Sequence, residues 1–168
     1  MQTNDNTLPS LHGPVQSTEA PLLHLTLPFD ARKRSRQRVR FDEGGEAALV
    51  LPRGTVLRHG DLLALEGQGL VQVKAAPETV STVFAESSLH LARVAYHLGN
   101  RHVPLQITDA WLRYQHDHVL DAMVIGLGAL VHTEQAPFEP EGGAHGGGHH
   151  GHSHEHDEHH HHDHGHHH

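Results

Sequence analysis

The stretch ETVSTVFAESSLHLARVAYHLGNRHVPLQITDAWLRYQHDHVLDAMVIGLGALVHTEQ, residues 78–135, decides how this chain is read. ETVSTVFA carries the β-branched content of a strand. Ser87 or Ser88 can then cap a helix through LHLARVAYHL with a stop at Gly99, because a serine hydroxyl satisfies orphan N–H groups and glycine accepts the backbone that closes a helix. On that helix His90, Arg93 and His97 share a polar side, while Leu91, Val94, Ala95 and Leu98 supply much of an apolar one. VPLQI and AWLRYQ read as paired strands. Asp117 can cap a second helix, HVLDAMVIGLG, ended by Gly126 or Gly128, and LVHTEQ is the last strand. Strand, helix, strand, strand, helix, strand predicts a ferredoxin-like βαββαβ domain over residues 76–138.

Outward from this stretch the pattern changes. From Leu22 to Lys74 short runs (LLHLTLPF, QRVRF, AALVL, TVLR, LLALE, LVQVKA) alternate with turn residues such as Glu43-Gly44-Gly45 and Gly67-Gln68-Gly69, the punctuation of a small all-β domain. Its span is 21–75, and Ala75-Ala76-Pro77 is the boundary, so the fold class is α+β. Residues 1–20 are polar with scattered Pro and Gly, and read as a flexible lead. Within ARKRSRQRVR, Arg32, Arg34, Arg36, Arg38 and Arg40 recur at every second position and share one face if the segment is extended. Such a strip protects a strand edge by charge, or docks an acidic partner or the chain's own acidic tail.

That tail is residues 139–168. It holds six acids and no base, so most of the net charge of −8 belongs to it and the remainder of the chain is nearly neutral. A nearly neutral body without interleaved aromatics excludes nucleic acid as a partner. The longest apolar run, Ala122 to Val131, is too short to cross a bilayer, and the N-terminal segment lacks the basic and apolar regions of a signal peptide. A cytoplasmic protein with no membrane partner is expected. The tail consists almost wholly of Gly, His and acidic residues and reads as disordered, with a reach on the order of 30 Å for about thirty residues.

The absence of cysteine leaves imidazole, carboxylate and backbone as metal donors. Fourteen histidines stand in the tail: His145, His149, His150, His152, His154, His156, His159, His160, His161, His162, His164, His166, His167 and His168. Neutral imidazole suits Ni(II), Zn(II), Cu(II) and Co(II), and many imidazoles on one chain chelate by local concentration. Their interspersion with Glu, Asp, Ser and Gly differs from the uniform run of a purification tag. Flexible imidazoles impose no geometry, so a selective site needs donors from the folded body. His116 and His118 flank Asp117; they share a face if extended and point apart if helical. His102 stands by itself, and one histidine binds a transition metal weakly unless twofold symmetry brings a second copy to it.

The segments RQRVRF, LPRGTVLRHGDLLALEGQGLVQVKAAPETV, AYHLGNRHVPLQI and HDHVLDAM, in this order and followed by a His-rich end, resemble the urease accessory nickel metallochaperone family, UreE, over roughly residues 22–135. The resemblance implies that His102 is the central nickel ligand, facing its symmetry mate across a homodimer interface, with tail histidines completing the site. It implies that His116 and His118 form a peripheral metal-binding pair, that the β domain is a peptide-binding module, and that residues 76–138 carry metal binding and dimerisation. The implied partners are the urease accessory GTPase, the other urease accessory proteins and apo-urease.

The expected function is therefore a nickel chaperone for urease maturation and not an enzyme, since no nucleophile–base pair, phosphate loop or carboxylate dyad stands out. Two other readings remain at this level. One is a Ni or Zn buffer that uses the tail alone; the other is a metal-dependent hydrolase built on His102, His116 and His118, which would need a water-activating base beside them.

Overall fold

The computed structural model describes residues 7–143. The expectations of a mobile segment before Thr7 and of a disordered, metal-binding tail from Ala144 onward lie outside the described residues.

The first half forms a six-stranded sheet from β1 (Ser10–Val15), β2 (Leu23–Leu27), β3 (Arg36–Arg40), β4 (Glu46–Val50), β5 (Leu62–Leu65) and β6 (Gly69–Ala75), with a single-turn helix α1 (Phe29–Arg32) after β2. Its order is β2-β6-β5-β1-β4-β3. Alternate side chains, Leu25, Val39, Leu49, Leu63, Leu65, Val71 and Val73, make one buried face. Residues 10–15 correct the reading of 1–20 as flexible lead: β1 lies inside the sheet, parallel to β4 and antiparallel to β5, with Leu11 fully buried. Polar composition concealed it because a single apolar side chain suffices when the strand's backbone groups are paired on both sides. TVLR forms no strand, although Leu57 is buried; its N–H bonds to Arg32 O across a loop.

The arginine strip is shorter than its spacing predicts. Arg36, Arg38 and Arg40 are exposed on edge strand β3 around buried Val39, a charged edge that resists pairing with another sheet. Arg38 bonds Glu46 across the strand pair and holds that carboxyl below its ordinary value. Arg34 precedes the strand, and Arg32 belongs to α1, where it is fully buried.

The second half follows the predicted order: β7 (Pro77–Phe84), α2 (Ser88–Asn100), β8 (Gln106–Ile107), β9 (Leu112–Gln115), α3 (His118–Gly126) and β10 (Leu130–Pro137). All neighbours in the sheet β10-β7-β9-β8 are antiparallel, as in a ferredoxin-like domain. Leu91, Val94 and Leu98 of α2 and Val124 of α3 pack with Val83, Leu112 and Tyr114 of the sheet. Ser87 caps α2 by accepting from His90 N, and Asp117 caps α3 by accepting from Val119 N and Leu120 N. Among the described residues no helix is long and apolar enough to cross a membrane.

A short strap after β10 ties the two halves together. Phe138 meets Phe29 edge-on at 5.5 Å. The buried guanidinium of Arg32 donates to Leu27 O at 3.2 Å, to Leu57 O at 3.1 Å and to Phe138 O, with Glu139 3.6 Å away. Beyond it, Glu139 accepts from His59 N, Pro140 O from Arg58, and Glu141 N donates to Leu105 O. Residues 139–141, assigned to the tail by composition, are thus part of the folded body. Burial pushes the Arg32 pKa down and Glu139 opposes that shift; a guanidinium remains charged in proteins, so its carbonyl partners are required.

Two substitutions test these contacts. Arg32→Ala leaves three carbonyl partners without their donor, and urea unfolding is expected to show a loss of about 3 kcal/mol; a loss within the range of an exposed arginine would remove Arg32 from this role. Asp117→Ala leaves the first N–H groups of α3 uncapped, with an expected cost of about 1 kcal/mol in the same assay.

Candidate metal centre

Helix α2 closes without glycine. His102 N–H donates to Gly99 O at 3.0 Å and Val103 N–H to Leu98 O at 3.4 Å, the pair of bonds that ends a helix when the residue after the C-cap turns left-handed. That residue is His102, φ +56°, alone among the described non-glycine residues in having a positive φ. Gly99, expected as the stop, lies within the last turn instead. Helix α3 closes through the same pair of bonds, Gly128 N–H to Ile125 O at 2.9 Å and Ala129 N–H to Val124 O at 3.3 Å, but with glycine at the left-handed position, φ +87°. A side chain in that conformation costs about 1–2 kcal/mol, which Gly128 avoids and His102 bears. Strain retained at one residue points to a use for its side chain.

The helix end leaves His102 exposed beside a cavity of about 330 Å³, which it lines together with Arg101, Gln115, His116, Asp117 and Leu120. His116 arrives from the other direction, at the end of β9, where its N–H bonds Thr79 O at 3.1 Å. Asp117 then turns the chain into α3 with an extended backbone, φ −152° and ψ 124°. An extended residue sends its two neighbours to the same side, and the rings of His116 and His118 meet edge-on with centroids 5.0 Å apart. The cap geometry therefore settles the alternative left open by the sequence, in favour of a shared face.

Behind His116 lies a polar cluster. His116 Nδ1 stands 3.2 Å from Asp121 Oδ2 and 3.1 Å from Ser81 Oγ. Asp121 Oδ1 accepts from Tyr114 OH at 2.6 Å and from Ser81 Oγ at 2.7 Å. Burial, reinforced by the Asp121 bond, pushes the Tyr114 hydroxyl above its ordinary value, so it stays a donor. Ser81 is fully buried and meets the same ring nitrogen as Asp121. This is not the relay of a hydrolase, in which nucleophile and carboxylate occupy opposite nitrogens of the ring.

Three other body histidines are engaged elsewhere. His90 Nε2 bonds Leu127 O at 2.7 Å, and His59 Nδ1 accepts from Ala75 N at 3.2 Å. His24 Nδ1 bonds Glu43 at 2.5 Å, which draws that carboxyl down to about 2. The structure thus joins His102 to His116 along one cavity and His116 to His118 by ring contact. Among the described residues, no group of three or more His, Asp or Glu is placed to hold a metal ion, so the described donors of one chain come in ones and twos. His145 through His168 lie outside the described residues. Asp121, Tyr114 and Ser81 were not singled out from the sequence. An acid in the first turn of a helix reads as a partner of the helix dipole, and nothing local to Asp121 tells that β7 and β9 deliver two hydroxyls and a ring to it.

Comparison with known proteins covers both halves. The family model described as UreE urease accessory protein, N-terminal domain, matches residues 5–76, and that of the UreE C-terminal domain matches residues 78–168. The urease accessory protein UreE of Proteus mirabilis is 56% identical over 133 residues, covering 79% of this chain and 83% of that one. That of Pseudomonas putida strain KT2440 is 61% identical over 122 residues, covering 72% and 73%, and that of Vibrio parahaemolyticus is 54% identical over 135 residues, covering 76% and 85%. Matched in order from the β domain through the ferredoxin-like domain, the chain belongs to the UreE family of urease accessory proteins, which are accessories of urease maturation and not enzymes.

Proposed function

We propose that the protein is a homodimeric nickel metallochaperone that delivers Ni(II) to apo-urease, with an interfacial pair of His102 side chains as the delivery site and the His-rich tail as its feeder. The observation that carries this reading is His102 itself: an exposed imidazole kept at a helix-closing position where glycine would cost less, on a cavity it shares with His116. One imidazole from each of two chains supplies a weak, defined pair of donors, and tail histidines complete the coordination. Transfer requires that intermediate affinity, because an ion enclosed by a full set of rigid donors leaves slowly. His116 and His118 hold further metal beside it. Zn(II), Cu(II) and Co(II) are acceptable to the same nitrogen donors. The relatives' name, urease accessory protein, supports handover to apo-urease, through the urease accessory GTPase and the other accessory proteins, in the cytoplasm.

The test is nickel titration calorimetry on the chain ended at Gly143, which keeps the strap, with particle mass measured by light scattering. The chain without further substitution is expected to bind Ni(II) at one saturable site per two chains, with intermediate affinity. His102→Gly is expected to abolish that site while matching or exceeding the parent stability by about 1 kcal/mol, since glycine relieves the left-handed strain. Absence of any saturable site per two chains before substitution would move metal binding into the tail and favour the buffer reading.

A further inference from the structure

The proton inventory around His116 leaves one consistent assignment. Asp121 faces three donors: Tyr114 OH and Ser81 OH on Oδ1, and the ring Nδ1 on Oδ2. Ser81 spends its only proton on Asp121, so its oxygen can only accept from His116. A bare Nδ1 would place a lone pair against a carboxylate and an accepting hydroxyl oxygen. The ring nitrogen must therefore carry the proton, shared between Ser81 Oγ and Asp121 Oδ2.

The cluster is fixed from three elements. Ser81 sits on β7, fully buried; Tyr114 sits on β9, also fully buried; Asp121 sits one turn into α3. The ring is additionally pinned from the front by His118, edge-on at 5.0 Å. With Nδ1 occupied behind, Nε2 is the ring's remaining donor atom.

We propose that Asp121, held by the hydroxyls of Tyr114 and Ser81, is a positioning residue that fixes His116 in its Nδ1–H tautomer and presents Nε2 to a metal ion at the cavity shared with His102. The hydrogen bond made by one ring nitrogen sets which nitrogen is free to ligate, and a carboxylate behind a ligating histidine both orients the ring and raises its basicity. This rests on the reading of that cavity as a metal site. It adds a division of labour: His102 is presented by backbone strain, His116 by a carboxylate.

The tautomer is read on metal-free, full-length, 15N-labelled protein by long-range proton–nitrogen correlation of the ring, above the imidazole titration range. His116 is expected as Nδ1–H, and Asp121→Ala is expected to release it to a mixture of both tautomers. Because Asp121→Ala can disturb α3, a second variant is used: Asp121→Asn keeps the shape but replaces one accepting oxygen with an NH2 donor, and is expected to move the ring from Nδ1–H toward Nε2–H. Tyr114→Phe, which removes one supporting bond only, is expected to give an intermediate result. Metal binding is then followed at the same ring with Zn(II), a diamagnetic stand-in for Ni(II), its free concentration set by a chelator buffer so that the tail does not deplete it. Asp121→Ala is expected to need about 10- to 100-fold more free Zn(II) for half-shift of Nε2. A His116 ring found as Nε2–H in the parent protein overturns the proposal and leaves the metal-site reading standing. An Nδ1–H ring whose Nε2 ignores metal in the parent overturns that underlying reading, and the proposal with it. A tautomer change in Asp121→Ala without weaker binding overturns the positioning role.

Discussion

The buried guanidinium of Arg32 is the contact on which the arrangement of the two halves depends. It gathers carbonyls from three segments, the ends of β2 and β10 and the loop at Leu57, into one fan of donated hydrogen bonds. A charge withdrawn from water is tolerable only when its donors are filled, so these segments are obliged to meet. Glu78 adds a second tie, accepting from Phe29 N on one side and from Gln115 on the other. The strap that leaves β10 passes over this junction before the chain runs on toward its histidines. The base of the His-rich segment is therefore fastened to both halves.

The histidines of the body are placed by helix ends. Closure of α2 requires one left-handed residue, and the chain puts His102 there instead of glycine. Initiation of α3 requires one extended residue, and Asp117 fills it while turning the rings flanking it to the same side. Helix ends carry unsatisfied backbone groups that must be met locally, so their geometry is stiff. Side chains mounted at such positions inherit that stiffness.

Much of this was legible in residue order. The βαββαβ pattern, the caps Ser87 and Asp117, and the apolar side of α2 follow from periodicity and from the hydrogen-bonding habits of short polar side chains, and the structure has each of them. Where local reading failed, a distant partner decided. β1 looked like lead because its pairing with β4 and β5 satisfies a backbone that composition alone could not credit. Arg32 looked like one of five alternating arginines because its spacing carries no trace of the carbonyls that surround it. Gly99 looked like a stop because glycine is the usual left-handed residue, whereas here the strain falls three residues later.

The sequence by itself determined the inventory of nitrogen and oxygen donors, the exclusion of thiolate sites, the order of elements and the family to which they belong, because each of these is local or additive along the chain. Only the tertiary structure decided that His102 and His116 share a cavity, that the rings of His116 and His118 face one another, and that Asp121, Tyr114 and Ser81 stand behind one imidazole. The reason is register. Ser81 and Tyr114 are cross-strand partners, and their strands lie side by side only when the ferredoxin-like sheet closes in the order β10-β7-β9-β8. No spacing within HDHVLD specifies that order, because it is selected by the burial of the whole domain's apolar face.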